Sequence, residues 1–163
     1  MLRDLNAKLP MAPNFKYGEF VYSYNATRLG IKNEPNETQW KNIEKTAKYI
    51  AQPVRDKMGR IRISSGFRNP RVNKLAGGGD SSRHLTGEAL DMEPLASGIS
   101  LMKCLLFIYD NLVFRELIAE FFPLGWVHGS YVEGYNNKIL KLKDANHNFK
   151  IVTIDDLIKL YGK

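Results

Sequence analysis

The strongest constraint on the fold of this chain is a set of spaced residues between Ser82 and Asp91. The pattern is S-x-H-x-x-G-x-A-x-D, which places His84 and Asp91 seven positions apart with Gly87 between them. Seven residues span about 10 Å along one helix and more than roughly 20 Å along one straight strand. If both side chains bind one metal ion at about 2 Å each, the chain must double back. Gly87 suits that turn because glycine adopts backbone angles that other residues avoid.

The residues that follow this turn favour a metal site. Residues 88–93 alternate polar and apolar, which predicts a short strand with Asp91 on its polar side. His128, in the later run GWVHGSY, offers a second imidazole. Two imidazoles and one carboxylate make a three-ligand set that leaves the fourth position of a tetrahedral zinc ion open for water, as catalytic zinc sites do. A histidine and an aspartate at this spacing also occur by chance in many proteins.

Several segments together resemble a known family. They are FKYGEFVYSYNATRLGIKNEP, QPVRDKMGRIRISSGFRNPRVN, GGGDSSRHLTGEALDME, FRELIAE and WVHGSY, and the ten-residue motif is the most specific part of them. They are similar to the zinc D-alanyl-D-alanine carboxypeptidases and L-alanyl-D-glutamate endopeptidases of the hedgehog/DD-peptidase superfamily, above all to the compact form of bacteriophages and prophages. The resemblance implies a zinc-dependent hydrolase of peptidoglycan stem peptides, with Zn²⁺ held by His84, Asp91 and His128.

Two further side chains are candidates for substrate binding. Arg68 lies in the turn GFRNP, and its planar guanidinium matches the carboxylates in which cell-wall stem peptides are rich. An arginine at this place contacts substrate in the family that the chain resembles, and the alternative is a surface arginine without a special role. Ser82 either hydrogen-bonds the substrate or steadies the loop that carries His84.

The general base is less well defined by the sequence. Several relatives carry a glutamate three residues before the last histidine ligand, but that position here is Gly125. Glu120 is the preferred base and Glu116 the second candidate, because both lie on a strand predicted to pair with the strand of His128, and alternation places them on one face. Glu93 is a weaker choice. Without a base in reach, the site would bind metal and hydrolyse poorly.

Length and hydrophobic periodicity predict the architecture. A chain of 163 residues is long enough for one domain with a sizeable core, and we expect an α+β fold with a mostly antiparallel sheet flanked by helices. In this single domain, 1–163, residues 1–36 form an arm packed on the body, and residues 132–163 form a closing hairpin and helix. Helices are predicted at 19–29, 37–58 with a kink at Pro53, 71–75, 99–112 and 154–161; strands are predicted at 60–65, 114–120, 126–131, 138–144 and 149–153.

The net charge of the chain and the composition of its first residues indicate which partners it binds and where in the cell it acts. The formal charge of +7 favours polyanionic partners, but the basic residues are scattered and match no nucleic-acid motif. An anionic cell wall satisfies the same charge, so we expect no nucleic-acid partner and a monomer. No apolar run approaches the roughly 18 residues of a membrane span, and no apolar signal core opens the chain. We therefore expect synthesis in the cytoplasm and action at the cell wall, after release by a holin or as part of a virion.

Two residues with reactive side chains are assigned no catalytic role. Cys104 is the single cysteine and lies in an apolar stretch without basic neighbours, so a buried, inert thiol is expected. His147 falls in a predicted turn and is expected to be a solvated loop histidine.

Two functions other than hydrolysis fit the same sequence. One is a noncatalytic binding module that keeps the peptidase fold and its zinc, and the other is a basic nucleic-acid or assembly protein of a phage particle. Retained metal without turnover would identify the first. Salt-dependent retention of DNA without metal would identify the second.

Overall fold

The computed structural model describes residues 3–136 and 138–162, in which eight strands and six α-helices occur. The strands are β1 (Lys8–Leu9), β2 (Ala12–Lys16), β3 (Ile61–Ser65), β4 (Ala89–Pro94), β5 (Glu116–Glu120), β6 (Trp126–Ser130), β7 (Ile139–Lys143) and β8 (Phe149–Ile151). The helices are α1 (Tyr24–Arg28), α2 (Glu37–Thr46), α3 (Gln52–Met58), α4 (Pro70–Leu75), α5 (Leu101–Asn111) and α6 (Ile154–Tyr161).

Six of the strands form one sheet in the order β3-β4-β6-β5-β7-β8, and β1 pairs with β2 separately. Every neighbouring pair in the large sheet is antiparallel except β5 and β7, which run parallel. The predicted α+β fold with a mostly antiparallel sheet is therefore confirmed. The parallel pair places β7, from the end of the chain, beside the hairpin that carries His128.

The two faces of the sheet differ in chemistry. One face is covered by α2, α3 and α5, and its side chains are fully buried: Leu90 and Met92 from β4, Leu117 and Ala119 from β5, and Val127 from β6. Because successive side chains of a strand point to opposite faces, the residues between these lie on the other face. Asp91, Ile118 and His128 are such residues, so the helices stabilise the sheet from behind while the second face carries polar groups.

The predicted helix over 37–58 forms, and in place of the predicted kink at Pro53 it has an irregular turn just before that residue. Between α2 and α3 the chain makes one wide helical turn, Ala47–Ala51, in which the Gln52 N–H bonds to the carbonyl of Ala47, five residues back. Pro53 has no N–H to donate, and in a regular helix its ring would clash with the carbonyl four residues earlier. The wide turn accommodates the ring without ending the helix, since the backbone stays helical at Ala51 and Gln52.

The two ends of the chain pack on this body. Phe15 and Phe20 of the N-terminal segment are buried, as expected for a packed arm, whereas Tyr22 is exposed. The helix predicted at 19–29 is interrupted, because Ser23 caps a new helix by accepting a hydrogen bond from the N–H of Ala26. The β7–β8 hairpin and α6 form as predicted. In the described parts of the chain, no helix combines the length and apolarity that crossing a membrane requires.

Candidate metal centre

Strand register brings two of the candidate ligands together. Asp91 on β4 lies directly opposite His128 on the antiparallel strand β6. His84 comes from a short 3₁₀ turn, Arg83–Thr86, which Gly87 ends with a left-handed φ of 75°. A Cβ atom at Gly87 would also lie 2.7 Å from the carbonyl oxygen of Gln39. The predicted reversal at Gly87 is confirmed, and glycine is needed there for both backbone angle and space.

One side-chain atom of each of these three residues lies close to one atom of each of the other two. The Nδ1 atom of His128 lies 2.9 Å from Oδ1 of Asp91 and 3.2 Å from Nε2 of His84, and that Nε2 lies 3.3 Å from the same Oδ1. Ligands about 2.0–2.2 Å from a tetrahedral zinc ion are roughly 3.3–3.6 Å apart, so the two distances from Nε2 of His84 nearly match this spacing and the distance between His128 and Asp91 is shorter. The three residues are at most 6% exposed, and they could hold one metal ion.

Neighbouring groups orient the ligand atoms. Nδ1 of His84 donates to the carbonyl oxygen of Gly66 at 2.7 Å, and because a carbonyl only accepts, Nε2 is left with its lone pair facing the cluster. Nη2 of Arg68 donates to Oδ2 of Asp91 at 2.6 Å, and its Nε donates to Oγ of Ser65 at 2.8 Å. Such outer contacts fix the tautomer and orientation of metal ligands, so the donor set fits a divalent cation.

Burial and mutual charge set the protonation of the cluster. Burial of His84 lowers its pKa and outweighs the attraction of Asp91, which favours the neutral form that binds metals. Burial alone would raise the pKa of Asp91, but the charge of His84 and the hydrogen bond from His128 hold it well below its usual range. Burial likewise opposes a charge on His128, yet its hydrogen bond to Asp91 and that carboxylate's charge raise its pKa. The carboxylate is thus ionised and ready to bind a cation.

The two candidate bases lie on the same strand but differ in their contacts. Oε1 of Glu120 lies 3.8 Å from Nδ1 of His128, and its Oε2 accepts a hydrogen bond from Nζ of Lys143 at 2.8 Å. Glu120 is only 6% exposed. Glu116 is paired with Lys141, and within the described structure no ion pair of 4 Å or less joins it to His128. The arrangement therefore brings Glu120 to the cluster.

Gly125, at the position where several relatives carry a glutamate, has no space for a side chain. A Cβ atom there would lie 1.9 Å from the carbonyl oxygen of Glu120 and 2.8 Å from Cβ of Phe121. The turn between β5 and β6 therefore excludes any larger residue at 125. A carboxylate near the cluster has to come from another position, and Glu120 at the end of β5 provides one.

The cluster opens into a cleft of about 520 Å³. The candidate residues Arg68, Ser82, Glu116 and Glu120 all line it together with the three candidate ligands. The glycine loop 77–79 forms one rim, as expected from the sequence, and Nδ2 of Asn73 holds it by donating to the carbonyl oxygen of Gly79. Ser82 makes no side-chain cap to the turn that follows it, so its hydroxyl has no such local role.

Sequence reasoning missed the wall formed by the C-terminal hairpin. Lys141, Lys143 and Phe149 line the cleft, and so does His147, whose ring centroid is 5.1 Å from that of Phe121. His147 is exposed, as predicted, and is not part of the metal-binding cluster. The alternation of lysines in β7 was the available signal. It could not be used, since nothing in β7 itself reveals its parallel pairing with β5.

A second, smaller cleft of about 300 Å³ meets the first at the cluster. Both clefts are lined by Arg68, Asp91 and Trp126. The outer part of the smaller cleft includes Tyr22 and Tyr24 of the N-terminal segment, two aromatic residues that core packing does not use. The cluster therefore lies between two recesses, one bordered by each end of the chain.

Comparison with known proteins agrees with this chemistry. The family model described as peptidase M15 matches residues 13–105, which include His84 and Asp91 but end before His128. A search of curated proteins found no match. The match covers more than half of the chain, and the buried cluster supplies the ligand types that a metal-dependent peptidase needs. The chain belongs to the peptidase M15 family and is a metallopeptidase.

Proposed function

We propose that the protein is a zinc-dependent peptidase that hydrolyses peptide bonds in peptidoglycan stem peptides, and that it is of phage or prophage type. The observation that carries the proposal is the convergence of His84 Nε2, Asp91 Oδ1 and His128 Nδ1 at one end of a cleft. The resemblance of GGGDSSRHLTGEALDME and WVHGSY to cell-wall peptidases supports the choice of substrate.

Each polar group around the cluster has a role in this proposal. Bound zinc supplies Lewis acidity, which polarises a carbonyl and lowers the pKa of water toward 7. Glu120 takes the proton of the attacking water on Oε1 and passes it to the departing amine. Lys143 holds Oε2 of the same carboxylate, which keeps Oε1 directed toward His128.

Arg68 and Ser82 are assigned to the substrate side of the same cleft. Arg68 is 14% exposed at its side chain and is bound to Asp91 on one edge, so its other edge is available to a substrate carboxylate or carbonyl. Ser82 offers a hydroxyl at the rim beside His84. Both residues act by binding and orienting the peptide rather than by exchanging protons.

The proposal is tested by measuring bound zinc and hydrolysis of purified cell walls and synthetic stem peptides. His84→Ala should lose the metal and all turnover. Glu120→Gln should keep the metal and lose about 10²–10⁴-fold in kcat, the usual contribution of a positioned base. Glu116→Gln is the matched control, because it removes the same charge four residues away on the same strand, and it should keep most of the activity.

Three results would contradict the proposal or part of it. Zinc bound by wild type with no hydrolysis of any stem peptide would favour the noncatalytic binding module. Hydrolysis that survives His84→Ala would exclude the metal centre as its cause. Equal losses in the two glutamine variants would remove Glu120 from the role of base.

A further inference from the structure

The larger cleft is lined by five lysine and arginine side chains, and four of them are neutralised by a neighbouring carboxylate. The pairs are Arg68 with Asp91, Arg83 with Glu88, Lys141 with Glu116, and Lys143 with Glu120. The fifth cation is Arg115, which has no carboxylate oxygen within 4 Å among residues 3–136 and 138–162. Its charge is therefore available to a ligand.

Arg115 is also held in place without being neutralised. Its guanidinium carbon lies 4.9 Å from the ring centroid of Tyr135, a cation–π contact that restrains a long side chain. Its backbone N–H bonds to the carbonyl of Ser130, and its carbonyl accepts from the N–H of Ile139. A half-buried, preorganised arginine loses less conformational entropy when it binds than a free surface side chain does.

The backbone of Arg115 lies a short way along the sheet from the metal-binding cluster. Ser130, to which its backbone is bonded, lies two residues beyond His128 on β6, or roughly 7 Å along a strand. An extended peptide covers roughly 3.3–3.6 Å per residue. A substrate whose reacting bond lies over the cluster would therefore pass the backbone of Arg115 two or three residues away, in the cleft that this arginine lines.

We infer that Arg115, held by Tyr135, is a carboxylate-binding subsite of the larger cleft. The inference rests on the proposed peptidase function for the identity of the peptide, while the subsite itself is a property of the cleft. With Glu88 counted as the partner of Arg83, the five cationic side chains of the cleft face four carboxylates, so the remaining positive charge favours an anionic ligand. The carboxylate is either the terminal one of a stem peptide or the side-chain one of an acidic residue within it.

The subsite is tested by binding, so that turnover is not required. The probes are two matched pairs: N-acetyl-D-alanine with its amide, and N-acetyl-D-glutamic acid α-amide with N-acetyl-D-glutamine α-amide. Each pair differs in one carboxylate, terminal in the first and side-chain in the second. Dissociation constants are measured by NMR titration of the full-length wild type, Arg115→Gln and Arg60→Gln. Arg60 is an exposed arginine that lines neither cleft, so its variant controls for net charge.

One acid should bind wild type and Arg60→Gln about tenfold more tightly than its amide, and the pair that shows this identifies the source of the carboxylate. In Arg115→Gln that ratio should fall to near one. Tyr135→Leu should lower the ratio partly, because the charge remains but its support is lost. An unchanged ratio in Arg115→Gln, or no preference for either acid in wild type, would overturn the inference. Discrimination by a wild type that hydrolyses nothing would reject the peptidase function and leave the subsite standing.

Discussion

At the residue scale, the turn between β5 and β6 restricts where a catalytic carboxylate can be placed. Glycine at 125 is required by space, because a Cβ atom there would lie 1.9 Å from the carbonyl oxygen of Glu120. The same carbonyl belongs to the residue that we propose as the base. The turn that leaves no space for a glutamate at position 125 is thus the turn that holds Glu120. A substitution at either position should disturb the other.

Gly125→Ala should consequently destabilise the fold. Overpacking costs typically about 1–3 kcal/mol and occasionally more, and we expect the upper part of that range, since the obstructing atom belongs to the backbone. The free energy of unfolding is measured by urea denaturation. Gly79→Ala is the control, because a Cβ atom at Gly79 meets nothing within 4 Å, and it should change stability by less than about 0.5 kcal/mol. Equal effects of the two substitutions would show that the turn adapts easily.

Some of the site could be predicted residue by residue, and some could not. His84, Gly87 and Asp91 could be predicted because their spacing is local and only a tight reversal lets two ligands share a metal. The hydrogen bond of Arg68 to Asp91 was not foreseen, since it joins a turn to a strand 23 positions away. The pairing of Lys143 with Glu120 depends on strand order, which neither residue encodes.

At the element scale, the helical layer packs tightly against the sheet at Gly129. A Cβ atom there would lie 3.2 Å from Cγ2 of Ile50 and 3.4 Å from Cε of Met92. Ile50 belongs to the wide turn between α2 and α3, so the turn that accommodates Pro53 also brings a fully buried isoleucine against β6. Gly129 therefore makes room for the helical layer that packs on β6.

This contact predicts coupling between the two positions. Gly129→Val should lower the free energy of unfolding by about 1–3 kcal/mol through overpacking, and Ile50→Ala by about 2–5 kcal/mol through the lost buried side chain. The double variant should lose at least about 0.5 kcal/mol less than the sum, because alanine removes the Cγ2 atom that valine meets. The control pair combines Gly129→Val with Leu157→Ala in α6, where the losses should add. Additivity in both pairs would contradict the close contact.

Hydrophobic periodicity predicted most of these helices and strands, but it failed where packing or capping determines the form or the end of a helix. The helix over 37–58 and the hairpin of β5 and β6 follow from apolar spacing that is long enough to be unambiguous. The predicted helix over 19–29 is broken because Ser23 caps a new start, a local competition that spacing does not reveal. The wide turn at Ala47–Ala51 follows from proline geometry, but its exact form depends on the sheet beneath it.

At the scale of the whole molecule, the cluster joins parts of the chain that are distant in sequence. The family match ends at residue 105, yet His128 and Glu120 both lie beyond it. These later residues reach the cluster because β6 inserts between β4 and β5 in the sheet. Metal binding should therefore link the early and late halves of the chain and stabilise the fold. The stability of the protein with and without metal then tests the site without any substrate.

Zinc should raise the thermal stability of the full-length protein. A ligand that binds only the folded state stabilises it by about 4 kcal/mol when its free concentration is a thousand times its Kd. For a chain of this size that corresponds to a rise in Tm of roughly 8–16 °C. Calorimetry with zinc and with chelator should show this difference for wild type and none for His84→Ala. His147→Asn is the control, because it removes a histidine from the same cleft but not from the cluster. A wild-type Tm that is the same in zinc and in chelator would mean that the three buried ligand atoms are satisfied by one another, as the hydrogen bond between His128 and Asp91 allows.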